Sequence, residues 1–384
     1  MKMTTLMTAA AGMVLAVALT ACGGGGAGST TDPTTSGDAS ATTSAPAGEA
    51  GGSVGVSMPT QTTERWIADG EAVKSQLEEA GFDVDLQFAN DDIPTQGQQI
   101  DQMITQGVKV LIIAAIDGTA LAPQLENAAA QGIKIISYDR LIRDSANVDF
   151  YVSFDNFKVG VAQGQSLIDG LEARGEGPFN IELFAGSLDD NNAHFFFNGA
   201  MSVIQPKIDD GTFTVVSGQT DIEQAATLGW QQEAAQKRME DLLTANYQGD
   251  AKVDGVLSAN DGLARGIITA LQNNGYSGTV ADGFPIVTGQ DAEIASTKLI
   301  QDGIQYSTIF KDTRLLAEQA VTAAQDLLAG NEPEANNTED YDNGVKIVPS
   351  YLLDVVTVTQ DNITEALVDT GYWTQEEIDA GVIS

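Results

Sequence analysis

Thiols and imidazoles are almost missing: the 384 residues include one cysteine, Cys22, and one histidine, His194. A single cysteine excludes an internal disulfide and every thiol-rich metal framework. With a single histidine, a Ser-His-Asp triad or a zinc site would have to be built around that one residue, which stands beside Phe195, Phe196 and Phe197. Packing is the plainer role for an imidazole in such company. Basic residues are also scarce, with 18 Lys and Arg against 54 Asp and Glu and a formal net charge of -36. That charge would repel a phosphate backbone, so nucleic acid is not an expected partner. There is no H-E-x-x-H, no C-x-x-C and no Walker lysine loop, and no cofactor or metal is expected. GGGGAG, from Gly23, fits G-x-G-x-x-G in form only, because no strand precedes it and no helix follows.

The one long apolar run lies at the N-terminus, where Lys2 is followed by MVLAVAL and then Leu19-Thr20-Ala21-Cys22. A short apolar region closed by small residues is an export signal rather than a membrane-spanning helix. Residues 1–21 are therefore expected to be a signal peptide. From Gly23 to Gly52 the chain is Gly, Ser, Thr, Ala and Pro with few charges, too polar to fold, and reads as a flexible tether.

Beyond the tether, apolar strands alternate with helical periodicity. SVGVSM (Ser53 to Met58) is a first strand, and a helix from Glu64 places Trp66, Gly70, Val73 and Leu77 on one face. VDLQF, VKVLIIAA and IKIIS follow as strands with helices between them, and FYVSF comes next. After Asn156 the alternation restarts, with strands NIELF, FTVVSG, VDGVLS and PIVTG. Such alternation specifies parallel sheets with right-handed crossovers. The expected fold class is α/β, with two doubly wound parallel-sheet lobes joined by a multi-segment hinge. The expected division is 53–155 plus 312–345 for the first lobe and 156–311 plus 346–384 for the second. YSTIF and the stretch VKIVPSYLLDVVTV read as segments joining them, and lobes joined by several extended segments can hinge.

Ligands of open α/β sheets bind outside the carboxyl ends of the strands. Asp139 and Arg140 stand where IKIISY stops, and an ordinary surface ion pair is the competing reading. The theme recurs at Arg65, at Asp190 to Asn192, at Asn260-Asp261, at Gln290-Asp291 and at Lys311. Asp189 to Asn192, taken alone, reads as a turn. Asp, Asn and Arg groups converging from two lobes suit the hydroxyls of a monosaccharide, which both donate and accept. An indole would complete such a site against the C–H face of a pyranose. Trp66 lies on the apolar helix face and reads as core, whereas Trp230, at a helix start, reads equally as ligand contact or core.

The runs VGVSMPT with ERW, YDRLI, FYVSFDN, GSLDDNNA, LSANDG, VTGQDAE and STIFKDT together resemble the sugar-binding receptors of the type I periplasmic binding protein superfamily, in the xylose-binding and multiple-sugar-binding branch. The resemblance covers nearly all of the chain after the tether. It implies ligand contacts at Arg65, Asp139, Arg140, Asp190, Asn192, Trp230, Asn260, Asp291 and Lys311. His194 and the stretch before Trp230 depart from the pattern. The Leu-Thr-Ala-Cys stretch resembles a bacterial lipobox, which implies lipidation at Cys22 and a membrane held through that anchor alone. The expectation is an extracytoplasmic monomer that captures an aldose and hands it to an ABC-type permease, with no chemistry done on the sugar. A receptor for another polar ligand, such as a nucleoside or furanose signal, and a secreted carbohydrate-active enzyme are the alternatives.

Overall fold

The computed structural model describes residues 52–383. The expected signal peptide (1–21), Cys22 and the tether up to residue 51 lie outside the described residues. The first half runs β1 (Ser53–Met58), α1 (Glu64–Glu79), β2 (Asp83–Phe88), α2 (Ile93–Gln106), β3 (Val110–Ile113), α3 (Ala122–Ala130), β4 (Lys134–Tyr138) and β5 (Phe150–Phe154). The second runs α4 (Asn156–Glu172), β6 (Phe179–Leu183), α5 (Asn191–Asp209), β7 (Phe213–Val215), α6 (Ile222–Ala225), α7 (Gln232–Asn246), β8 (Gly255–Leu257), α8 (Asp261–Asn273), β9 (Ile286–Val287) and α9 (Ile294–Gln301). The chain closes with β10 (Ser307–Phe310), α10 (Thr313–Ala329), β11 (Ser350–Leu353), β12 (Val356–Thr359) and α11 (Gln375–Ala380).

Every strand of the first sheet is parallel to its neighbours, in the order β2-β1-β3-β4-β5-β11. The second sheet is parallel as well, in the order β7-β6-β8-β9. Val54, Val56 and Val110 to Ile113 are wholly buried, as strands covered on both faces by helices must be. Along α1 the residues at Trp66, Gly70, Val73 and Leu77 are buried as the 3.6-residue period requires, and α10 packs against the same helix. In each sheet the order reverses beside the first strand, between β1 and β3 and between β6 and β8. Such reversals leave a crevice at the carboxyl ends of the strands.

One expected boundary is corrected. The run from 346 to 353 does not belong to the second lobe: β11 pairs in parallel with β5, Ser350 opposite Tyr151, and completes the first sheet. The free edge of β5 supplies unpaired backbone groups, and β11 satisfies them before the chain leaves. The crossing comes just afterwards, and β12 pairs antiparallel with β10. The polar knot at Asp189 to Asn192 is likewise more than a turn. Asp190 caps the 19-residue α5, its side chain accepting from the Asn192 amide, so the helix starts nine residues before the Ala200-to-Ile204 stretch that its apolar period marks.

Helices α4 and α5 approach closely because glycines line their contact. A Cβ on Gly160 would collide with the Phe196 carbonyl, and one on Gly199 with the Phe157 carbonyl. Gly160→Ala is therefore expected to cost about 1–3 kcal/mol of stability through overpacking, read as a lower midpoint in chemical denaturation.

Candidate functional site

The wall from the first sheet is built at the ends of β1 and β4. Arg65, in the first turn of α1, donates from Nε to Asp69 one turn later at 2.9 Å and from Nη2 to Asp139 at 2.5 Å. Asp139 follows β4 directly and has a φ of 58°, a left-handed backbone that a non-glycine residue adopts only when its surroundings over-determine it. Tyr151, Ser153 and Asn192 all donate to the Asp139 carbonyl, at 2.6, 2.8 and 2.9 Å, and supply that constraint. Arg140 is held from Nη1 by the carbonyl of Ala115 beyond β3, at 3.1 Å. The guanidinium groups of Arg65 and Arg140 both lie over the Trp66 ring, with centroid distances of 4.7 and 5.0 Å.

The opposing wall comes from the ends of β6, β8, β9 and β10. Asp190 meets Arg140 at 3.0 Å across the crevice. Asn260 caps α8 through Oδ1, which accepts from the Leu263 amide. Asp291 bridges Lys311 at 2.9 Å and Arg65 of the facing wall at 3.6 Å. Trp230 follows Gly229, and both have left-handed φ values, 56° and 62°. Its indole lies against Gly186, where any Cβ would collide with the ring, and meets Phe196 edge-on at 6.3 Å. The buried Trp230 Nε1 has no protein acceptor.

All nine residues singled out in the sequence line one cleft between the two sheets. Sequence reading missed others on the same lining: Thr60, Thr63, Asp91, Phe196 and, as a site residue, Trp66. Trp66 belongs to the helix core as expected, but it also forms cleft surface. Asp91 follows β2 with a φ of 58°, so it carries the strand-end acid signal used elsewhere in the sequence. His194 lies off this lining, its Nε2 3.4 Å from the Leu188 carbonyl. Among the described residues no group of His, Cys, Asp and Glu is placed to hold a metal ion.

A family model described as periplasmic binding protein domain matches residues 54–332. The chain belongs to the periplasmic binding protein family. The multiple sugar-binding periplasmic receptor ChvE of Rhizobium radiobacter is 54% identical over 328 residues, which span 85% of this chain and 92% of the relative. The D-xylose-binding periplasmic protein of Escherichia coli is 39% identical over 85% of this chain and 92% of its own. A solved solute-binding protein of an ABC transporter from Clostridium phytofermentans, with bound β-D-glucose, superposes with a TM-score of 0.81 at 45% identity. That match covers 85% of this chain and 99% of the other.

The electrostatics of this binding protein follow from burying charge in pairs. Burial works against the ionised form of Asp139, but Arg65, Lys311 and Arg140 outweigh it and hold the carboxyl below its ordinary value. Asp190 moves the other way, since burial exceeds the pull of Arg140. Burial also raises Asp69 from 3.8 to about 6 against the attraction of Arg65, with Tyr138 donating to it at 2.5 Å. A raised carboxyl favours the folded state only while it is protonated. Its contribution is complete below pH 3.8 and is lost as pH rises through about 6. The thermal midpoint of the ligand-free protein, relative to that of Asp69→Asn, is accordingly expected to fall as pH is raised through that interval; parallel curves would contradict it.

Proposed function

We propose that this protein captures one aldose monosaccharide, of the xylose, glucose, galactose or arabinose type, between its two lobes and delivers it to an ABC-type permease. The observation that carries the reading is the convergence of nine polar and aromatic residues from both sheets on one cleft, with every cation already paired to a carboxylate. A site balanced in this way offers fixed donors and acceptors to a neutral, hydroxyl-covered guest. Charge-assisted hydrogen bonds from Arg65, Arg140 and Lys311 and to Asp139, Asp190 and Asp291 suit hydroxyls that donate and accept at once. Asn260 contributes its amide, and Asn192, hydrogen-bonded to the Asp139 carbonyl, stiffens the wall it adjoins. Trp66 and Trp230 line the cleft from opposite lobes and suit the apolar C–H faces of a pyranose ring.

Because the two walls belong to different lobes, ligand contacts both only when they are closed. Binding therefore shifts the population towards the closed form, by no more than the ligand's differential affinity for the two states. A permease that prefers that form discriminates loaded receptor from empty. The D-xylose-binding relative and the solved relative with bound β-D-glucose support the substrate class. No step of catalysis is assigned: the receptor returns the sugar unchanged.

Calorimetry across pentoses, hexoses, a nucleoside and a furanose tests the substrate class. Saturable binding of an aldopyranose is expected, and binding of the nucleoside alone would overturn the reading, as would turnover of a labelled sugar. Asp139→Ala is expected to weaken aldose binding by about 1.5–3 kcal/mol, the usual loss for a hydrogen bond to a charged group. Unchanged affinity would remove Asp139 from the site.

Leu-Thr-Ala-Cys before a polar tether supports export and lipid attachment through Cys22, which would hold the receptor at the outer face of the cytoplasmic membrane. Cys22→Ala is expected to move the protein from the membrane fraction to the soluble fraction; retention in membranes would count against the anchor.

A further inference from the structure

The loop that carries Asp291 holds two successive non-glycine residues in left-handed backbone, Asp291 at a φ of 98° and Ala292 at 49°. L residues stay in that region only where other contacts hold them, and such positions cluster at ligand clamps. The clamps here can be traced one by one. The Asp291 amide donates to the Ile309 carbonyl at 2.9 Å, and the Ala292 amide to Thr308 Oγ1 at 3.1 Å. The Glu293 amide donates to the buried Asp261 carboxylate at 2.9 Å. These three holds come from the second lobe and from β10. The fourth comes from the far end of the chain: Trp373 Nε1 donates to the Ala292 carbonyl at 2.8 Å. The other donor to that buried carbonyl, Thr297 Oγ1, is longer at 3.3 Å.

Trp373 lies beyond residues 54–332, which the family model covers. Its segment is seated by an apolar cluster that joins Ala292, Ile294 and Phe310 to Ile363, Leu367 and Ile378. Tyr372, beside it, meets Phe310 edge-on at 4.6 Å and carries the Arg314 guanidinium over its ring at 5.2 Å. Arg314 Nη1 also donates to the Gly371 carbonyl at 2.9 Å. The C-terminal segment thus grips the first turn of α10 and the strained loop at the same time.

We propose that Trp373 is a positioning residue for Asp291, holding the Ala292 carbonyl so that the neighbouring carboxylate stays against Lys311 and faces the cleft. The proposal rests on the reading of Asp291 as a sugar contact. Without the indole N–H, the turn keeps only the longer hydroxyl donor at that carbonyl and relaxes away from positive φ, and the Asp291 carboxylate moves with it.

A double-mutant cycle read by calorimetry with D-glucose and D-xylose tests this. Trp373→Phe keeps an aromatic ring and removes the donor, and it is expected to weaken binding about fivefold, the effect of one neutral hydrogen bond. In an Asp291→Asn background the same change is expected to add less than about twofold, because contacting residues that act through one another do not add. Thr308→Val, which frees the Ala292 amide from the other side, is the second variant and is expected to show the same dependence on Asp291. Thermal melts of every variant confirm that folded protein is titrated. Wild-type affinity in Trp373→Phe, or an equal penalty for Trp373→Phe and Thr308→Val with and without Asp291, would overturn the proposal. Wild-type affinity in Asp291→Asn alone would instead overturn the reading of the site on which it rests.

Discussion

A buried guanidinium, that of Arg65, is the point on which the cleft depends. Burial works against its charge, but Asp139, Asp69 and Asp291 surround it and outweigh that penalty. Two of these carboxylates belong to the first lobe and the third to the second, 3.6 Å away. Charges taken out of water are tolerated only where partners and hydrogen bonds replace the lost hydration. Arg140 with Asp190 and Lys311 with Asp291 repeat the solution on either side. The pairs that lie within one wall, Arg65 with Asp69 and Asp139 and Lys311 with Asp291, need no closure to form, which lowers the ordering cost that binding must meet.

The strand ends that carry these groups are tied by one device used twice. In the first lobe the buried Gln96 side chain donates to the Ala114 carbonyl and accepts from the Ile116 amide, joining the exit of β3 to α2. In the second lobe the Gln163 side chain, from α4, reaches the Ala259 carbonyl at 2.9 Å and, less closely, those of Ser258 and Gly289. Loops leaving a sheet would otherwise bury unsatisfied carbonyls near the site. Each glutamine satisfies those groups and limits the freedom of the loop beyond, Asn260 and Asp291 in the second case. Contacts away from the cleft also join the lobes. The Glu64 carboxylate accepts from the Ile294 amide at 3.0 Å, Arg143 donates to Asn191 at 2.7 Å, and Phe195 stacks on Tyr341 with ring centroids 5.2 Å apart. These contacts span the two lobes and therefore bear on how firmly they stay closed.

Local pattern determined much of this protein on its own. The apolar runs at Val54, Val110 and Ile135 and the helical spacing of Trp66, Val73 and Leu77 are short-range signals, because strand and helix periods are set by the backbone. Asp190 and Asn260 also stand where a helix-capping side chain is needed. That the polar strand ends face a crevice follows from strand alternation, since parallel sheets place all their carboxyl ends on one side. That the nine residues would line one cleft was legible for that reason, together with the runs that resemble a known family.

What remained for the tertiary structure is what depends on partners distant in the chain. β11 joins the first sheet because β5 offers it an open edge, and no local feature of SYLL names that edge. Trp66 could be read as core but not also as cleft surface, because the cleft beside it is completed by Arg140, far along the chain, whose guanidinium lies over its ring. The hold of Trp373 on Ala292 joins residues 81 apart. Propensity and period act over a few residues, whereas a hydrogen bond or ion pair across lobes exists only after the chain has folded back on itself, and it is those contacts that shape the cleft.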